Sequence, residues 1–330
     1  MAQVCVTGGS GRLGNSLVRA LLAQGHAVRV LEPGQSVPRS LEGLDIELVY
    51  GSVLDRNCVE QAIGDASVVY HLAAKVDLDR DLDGSVMAVN VEGTRHVAEV
   101  CLNKGIRMVH TSSHHALVLE PLSEPLDESK PLALDHKCFY HRSKALAEKM
   151  ISEMVQTRGL NAVIVSPGTL IGPHDYEPSM IGQGLIDLAK GKLPAMLGVT
   201  TDCADARDVA AAMIQAAEHG RKGERYLLSG PAAPMRKLAQ QWSEITGCKV
   251  PRLFLPLWTG WLFIPFTVGI ARLRRQKPLF TANMLRASVA NDVIDISKAQ
   301  RELAYKPRPR MESLQDMFNF YCKLGWLEKT

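Results

Sequence analysis

The octet Thr7-Gly8-Gly9-Ser10-Gly11-Arg12-Leu13-Gly14 constrains this chain more than any other stretch. It follows a short apolar burst, Val4 to Val6, and opens an amphipathic pattern over 12–24. The spacing is G-x-x-G-x-x-G. A first glycine allows a tight turn, a second lets a pyrophosphate approach the backbone, and a third lets helix and strand pack closely. The helix start then presents free N–H groups and the positive end of its dipole to phosphate. Gly8, Gly11 and Gly14 are therefore candidate dinucleotide contacts. The N-terminus carries no basic segment followed by a long apolar run, so it reads as the first core strand and not as a targeting signal.

Strand candidates recur at 3–7, 27–31, 46–49, 67–71, 106–112, 161–165 and 225–228. Helical patterns fall near 12–24, 56–63, 88–104, 139–157, 179–190 and 206–219. This alternation implies βαβ units and a parallel sheet. Past Gly230 the pattern changes to a helical stretch (235–246), an uncharged run, a polar segment (290–310) and a last helix. The expected fold class is α/β: a Rossmann-type doubly wound parallel sheet with a smaller, mostly helical C-terminal cap that binds substrate. Residues 1–165 would form the dinucleotide core, with core strands continuing in 206–230. Residues 166–205 and 231–330 would form the cap.

Composition excludes several alternatives. An apolar share of 46% across 330 residues suffices for a packed core. Thirty-eight Lys+Arg against 35 Asp+Glu, with 5% aromatics, argue against a nucleic-acid partner. Seven scattered Cys contain no C-x-x-C pair, which fits a reducing, cytoplasmic setting and not a disulfide scaffold.

The second strand ends at Glu32. An acid there can accept from the adenosine ribose and repels a 2′-phosphate, so NAD is favoured over NADP. Arg12 and Arg29 lie near enough in sequence to work the other way.

Ser113 falls at the carboxyl end of the 106–112 strand, the edge where open α/β sheets bind ligands. Tyr140 and Lys144 are four apart at the start of a periodic helix and share one face. A free tyrosine titrates near ~10 and carries protons poorly at neutral pH. A lysine cation beside it is expected to lower that value. Tyr140 could then exchange a proton with an alcohol or carbonyl oxygen, and Ser113 could hold the same oxygen.

With these pieces assembled, the chain resembles the extended short-chain dehydrogenase/reductase superfamily. The resemblance rests on residues 7–14, His71-Leu-Ala-Ala74, Asn90-Val-Glu-Gly-Thr94, Thr111-Ser-Ser113, Tyr140-x-x-x-Lys144, Gly223-Glu-Arg-Tyr-Leu-Leu-Ser-Gly230 and Asp295-Ile-Ser-Lys-Ala-Gln-Arg-Glu-Leu-Ala-Tyr305-Lys-Pro. It implies a catalytic triad of Ser113, Tyr140 and Lys144, with Gly8, Gly11, Arg12, Leu13 and Gly14 lining the pyrophosphate. Leu72, Ala73 and Ala74 would border the cofactor, Asn90 would support the site, and a homodimer would form through the helix carrying Tyr140. Two departures stand out. Gly51-Ser52-Val53 replaces the family's usual Gly-Asp at the adenine, so Ser52 and Val53 must substitute for that contact. The segment Thr201-Asp202-Cys-Ala-Asp205-Ala-Arg207-Asp208 carries extra acids that the motifs do not explain.

Pro167-Gly168-Thr169 resembles the segment near the nicotinamide in 3β-hydroxysteroid dehydrogenases and dihydroflavonol-4-reductases. The asparagine that serves sugar nucleotides in related epimerases is missing there. The implied reaction is the interconversion of a secondary alcohol and a ketone on an apolar, 3β-hydroxysteroid-like substrate. Alternatives are a nucleotide-sugar epimerase or dehydratase with bound NAD, and a non-catalytic dinucleotide sensor.

Leu253 to Ala271 contains no charged residue, and Arg272, Arg274, Arg275 and Lys277 follow at once. Pro256, Gly260, Pro265 and Gly269 argue against one straight helix. Three readings are open: a lid over an apolar pocket, a peripheral membrane contact through 253–277, and a single span. His110, His114 and His115 lack zinc spacing. Asp77, Asp79, Asp81 and Asp83 lack the glycine and terminal glutamate of a calcium loop. Cys138, near Tyr140, is expected to be a bystander thiol. No metal site is expected.

Overall fold

The computed structural model describes residues 2–78, 81, 83–262, 264 and 281–328. Seven parallel strands form the central sheet: β1 (Gln3–Thr7), β2 (Ala27–Glu32), β3 (Glu47–Tyr50), β4 (Val68–His71), β5 (Arg107–Thr111), β6 (Ala162–Pro167) and β7 (Arg225–Leu228). Their order is β7-β6-β5-β4-β1-β2-β3. Strand order reverses between β1 and β4, the switch point at which such sheets bind ligands. Val4 pairs in register with Val28 on one side and Val68 on the other.

The described helices include α1 (Arg12–Ala23), α2 (Arg56–Ile63), α3 (Thr94–Lys104), α4 (Phe139–Arg158), α5 (Met180–Ala189), α6 (Ala206–His219), α7 (Met235–Thr246), α8 (Ala282–Ala287), α9 (Ser297–Leu303) and α10 (Arg310–Lys323). Both sheet faces are covered, so the strands are apolar at nearly every position. Val4 and Val6 pack in one cluster with Leu17 and Val18 of α1 and Val209 and Met213 of α6. Cys5, pointing to the opposite face, joins Val59 of α2, Val97 of α3 and Ile151 of α4.

The seven predicted strands are all present and all lie in one sheet. The pattern over 88–104 is less simple than expected. A helical turn at Ser85–Met87 runs into a π-helical segment, Ala88–Gly93, before α3 begins. Insertions of this kind occur frequently at functional sites. This one brings Gly93 against Val53, where a Cβ would stand 2.6 Å from the valine methyl.

A third apolar cluster lies beyond the sheet edge. It joins Leu185 and Ile186 of α5, Leu238 and Trp242 of α7, and Leu314, Met317 and Tyr321 of α10. The Trp242 indole N–H donates to the Leu185 carbonyl at 2.8 Å. Short ladders complete this part, among them Thr169–Ile171 with Cys203–Asp205 and Ala195–Leu197 with Leu253–Leu255. Within the polar 290–310 segment the structure adds α9. Its Ala299 and Leu303, with Tyr305, pack back into the core cluster around α1 and α6. No described helix is long and apolar enough to cross a membrane. Residues 265–280 of the uncharged run and its basic tail lie outside the described residues.

Candidate active site

The glycine loop crosses the carboxyl end of β1. Gly8 has φ +74°, and a Cβ there would lie 2.7 Å from the Ala73 amide nitrogen. A Cβ on Gly14 would collide with the Gly8 carbonyl oxygen. Packing within the protein thus dictates both glycines. Gly11 differs: a Cβ there meets only the Gly8 oxygen, at an ordinary 3.6 Å. Gly11 is also the N-cap of α1, with no side-chain cap on the helix. The first N–H groups of α1 thus lack a side-chain cap, and the glycine beside them is not required by the chain's own packing. That is the arrangement a pyrophosphate fits.

Thr7, His71 and Thr94 brace this edge from below. The His71 ring nitrogens lie 2.8 Å from the Thr7 hydroxyl and 2.9 Å from the Thr94 hydroxyl. Burial, with the Lys144 cation nearby, holds His71 down at about 3, so it serves as a neutral strut. The Ala73 amide donates to Thr7 Oγ1 at 3.2 Å, fixing the Leu72–Ala74 turn beside the loop. Asn90 reaches that turn from the π-helical segment. Its Oδ1 accepts from the Lys75 amide at 2.8 Å, and its Nδ2 donates to the Lys75 carbonyl and to the Ser143 hydroxyl. Asn90 therefore holds the floor of the site.

Other predicted cofactor residues also have partners within the chain. Arg12 turns away from the glycine loop. Its guanidinium pairs with the buried Asp175 and donates to the Leu170 carbonyl and to Ser179, while Tyr321 donates to the same carboxylate at 2.7 Å. Burial lowers the guanidinium to about 10. Arg12 thus fastens α1 to the cap. Glu32 is buried, with one oxygen 2.6 Å from the Ser10 amide and the other 2.8 Å from the Ser10 hydroxyl, which shapes the loop. Burial raises its pKa, against those hydrogen bonds. Ser52 accepts from the Leu54 amide at 3.1 Å, and Val53 is buried against Gly93.

Ser113, Tyr140 and Lys144 do come together. Ser113 follows β5 in an extended conformation, its Oγ accepts from the His115 amide at 3.2 Å, and its hydroxyl lies beside the Tyr140 phenol. Lys144, one turn further along α4, is buried, and its ammonium donates to the Thr111 carbonyl at 2.8 Å. Burial lowers Lys144 to about 8 against the pull of Glu148. The expected lowering of Tyr140 by lysine is not what the structure has. Burial wins and pushes the phenol up to about 12, with the neighbouring Ser113 hydroxyl working the other way.

Two supports were not legible in the motifs. Glu148 lies a turn beyond Lys144, fully buried, accepting from Ser112 Oγ at 2.5 Å and paired with Arg225 from β7. Asp202 is also fully buried. Its Oδ2 lies 3.1 Å from Nδ1 of His114 and 2.5 Å from Ser229 Oγ, and its Oδ1 accepts from Thr169 at 3.2 Å. Burial would raise this carboxyl, but His114 and the hydrogen bonds outweigh it and hold it at about 2. A Cβ on Gly168 would strike this carboxylate. Asp202 therefore ties the Pro167-Gly168-Thr169 turn to the residue after Ser113, and accounts for one of the extra acids. Asp205 accounts for another: it caps α6, accepting from the Arg207 amide and guanidinium.

Imidazoles crowd this side of the site. His114 meets His115 at 4.1 Å between ring centres, His115 stacks on His141 at 4.3 Å, and His141 stacks on His136 at 4.4 Å. His115 and His141 are held well below the usual histidine range by burial and mutual repulsion. Among the described residues no group of side chains has the makings of a metal site. Cys138 is buried, and burial raises its thiol, as suits a bystander. Asp81 accepts from the amides of Val86 and Met87, and Asp83 from Ser85, whereas Asp79 lies outside the described residues.

A cavity of about 590 Å³ opens beside His136 and His141. Leu117, Leu119, Leu132, Leu257, Trp261 and Leu285 supply most of its apolar wall. Ser113 and Tyr140 are not among its lining residues, so it adjoins the triad without enclosing it.

Known proteins match this arrangement. The model of the NAD dependent epimerase/dehydratase family matches residues 4–229. A relative named sterol demethylase protein B, from Methylococcus capsulatus, is 33% identical over 327 residues, covering 98% of this chain and 99% of the relative. A 3-beta-hydroxysteroid dehydrogenase from Mycolicibacterium neoaurum is 26% identical, covering 93% and 87%. Among solved structures, the crystal structure of gox2253 is 29% identical, with a TM-score of 0.87 over 99% of this chain and 100% of the other. The chain therefore belongs to the NAD dependent epimerase/dehydratase family, within the extended short-chain dehydrogenases/reductases, and is an oxidoreductase of that group.

Proposed function

We propose that this enzyme interconverts a secondary alcohol and a ketone on an apolar, 3β-hydroxysteroid-like substrate, using NAD in preference to NADP. The observation that carries the reading is the Ser113 hydroxyl beside the Tyr140 phenol, with Lys144 anchored on Thr111 one turn along the same helix. Ser113 and Thr111 stand at the carboxyl end of β5, and the glycine loop at the carboxyl end of β1 leads into α1 with no side-chain cap. When bound, the nicotinamide would supply the hydride donor or acceptor.

The chain's own residues do the rest. Gly8, Gly11, Leu13 and Gly14 would hold the pyrophosphate, and Ala73 and Ala74 would flank the dinucleotide. Pro167, Gly168 and Thr169 would close on the nicotinamide end. Tyr140 exchanges a proton with the substrate oxygen. Ser113 donates to that oxygen and keeps it beside the phenol. Lys144 keeps two ammonium protons free of its backbone anchor, enough to hold ribose hydroxyls while its charge favours the phenolate.

Three details favour NAD. Glu32 closes β2 with a buried carboxylate that a 2′-phosphate would meet. Arg29 is committed to Glu47 at 2.7 Å, and Arg12 to Asp175. Neither arginine that could favour NADP is spare. An apolar substrate is supported by the leucine-rich cavity and by relatives whose names speak of sterols and 3-beta-hydroxysteroids.

The test is Tyr140→Phe, assayed on a panel of steroid and other secondary alcohols with NAD and NADP. Turnover should fall by roughly 10²–10⁴-fold while NAD binding persists. Full turnover in the variant would remove Tyr140 from the chemistry, and a preference for NADP would overturn the reading of Glu32.

A further inference from the structure

Four of the ten large apolar side chains exposed among the described residues fall within ten positions: Leu253, Trp258, Trp261 and Leu262. Trp258, Trp261 and Leu262 occupy positions i, i+3 and i+4 of a helical segment over 257–262, so they share one face. Trp258 is 63% exposed and Leu262 61%. The other side of that segment is packed, with Gly260 buried against Leu285, and Leu257 turns toward the cavity that Trp261 also borders. An outward face this apolar on a helix that is already anchored inward calls for a covering surface.

The charge of the neighbouring sequence says which surface. From Leu253 to Asn291 the sequence holds no aspartate or glutamate and five bases, Arg272, Arg274, Arg275, Lys277 and Arg286. The whole chain is only +3. Arg286 stacks over the Trp261 ring at 5.0 Å, which places one of these cations at the apolar face. Tryptophan with basic residues suits the headgroup region of a bilayer. Clustered bases without acids select anionic lipid.

We propose that this protein docks peripherally on anionic lipid bilayers through Leu253, Trp258, Trp261 and Leu262. The segment lies on the membrane and does not span it. Trp261 also lines the 590 Å³ cavity, so the docked face borders that cavity. If the substrate is apolar, as proposed above, it reaches the cavity from lipid and not through water. The docking itself does not depend on which reaction is catalysed.

The test is cosedimentation of the full chain with vesicles of phosphatidylcholine alone and with 30% phosphatidylglycerol, a fraction chosen on the order of natural anionic content. Wild type is expected to bind the anionic vesicles and lose binding in high salt. Trp258→Ser with Leu262→Ser is expected to weaken binding on the order of tenfold or more, with an unchanged circular dichroism spectrum. Trp258 fluorescence provides a second readout. Brominated lipid should quench wild type, and quench Trp258→Phe less. Absence of vesicle binding, or equal binding by the double serine variant, overturns the proposal. So does a concentration-dependent dimer that the double variant abolishes while vesicles bind neither protein, because the face would then meet a second copy.

Discussion

Replacing Asp202 by asparagine tests whether this fully buried carboxylate organises the site. Its stabilising value follows from its surroundings. A carboxyl held at about 2 instead of its ordinary 3.8 is worth roughly 2 kcal/mol to the fold. Because the folded value is the lower one, that stability is fully present above pH 4 and is lost as pH falls toward 2. Substitution costs more, because it disturbs the hydrogen bonds of Ser229 and Thr169 and the buried contact with His114, and a buried polar group left unpaired costs about 1–3 kcal/mol. Asparagine retains the shape and some hydrogen bonding to Ser229 and Thr169, so about 3 kcal/mol is expected at pH 7. Urea unfolding at pH 7 measures it, with His114→Gln and the double variant completing a cycle. A coupling above about 1 kcal/mol is expected between the two sites. Because Asp202 also positions Gly168 and Thr169, NAD affinity should fall in Asp202→Asn. A variant within about 0.5 kcal/mol of the parent, with no coupling to His114, would refute the reasoning.

The glycine loop offers a separation of folding from binding. Gly11→Ala should change stability by less than about 0.5 kcal/mol yet weaken NAD binding, whereas Gly14→Ala should destabilise by about 2 kcal/mol or more in thermal unfolding. Lys144 is held in its charged form at a cost to the fold. Since its folded value of about 8 lies below its ordinary 10.5, stability should rise with pH between those values. Lys144→Met should accordingly raise the urea midpoint, by about 1–3 kcal/mol of stability, while abolishing turnover. Nitrogen NMR of the imidazoles should find His115 and His141 uncharged at pH 5, and a protonated His141 there would contradict the stacked arrangement.

Legibility from the sequence followed locality. The seven sheet strands were readable because each is a short apolar run buried on both faces, as Val4, Cys5 and Val6 illustrate by dividing between two clusters. Tyr140 and Lys144 were readable because a four-residue step along a helix brings two side chains together without any knowledge of the rest. Asp202 was not, since its partners His114, Thr169 and Ser229 come from three separate loops. The side-chain partners of Arg12 were hidden for the same reason. Its motif position points to the phosphates, but Asp175 and Tyr321, far along the chain, hold its guanidinium elsewhere. The lowering of the Tyr140 phenol was expected from charge alone, and burial, which depends on the whole fold, outweighs it. Helix α9 was hidden because Ala299 and Leu303 are the only members of its seven residues in the core cluster.

That same short helix bears on how such an enzyme can be taken apart. The chain leaves the sheet after β7, builds α7, and then returns Ala299, Leu303 and Tyr305 to the core before leaving again for α10. A protein cut after residue 230 would lack those three side chains and expose the apolar surface of α1 and α6 that they cover. Exchanging caps between relatives to change substrate range therefore requires splicing on both sides of residues 297–305, with that segment kept from the parent of the sheet. A chimera that takes everything past β7 from another parent would join two unmatched halves of one core.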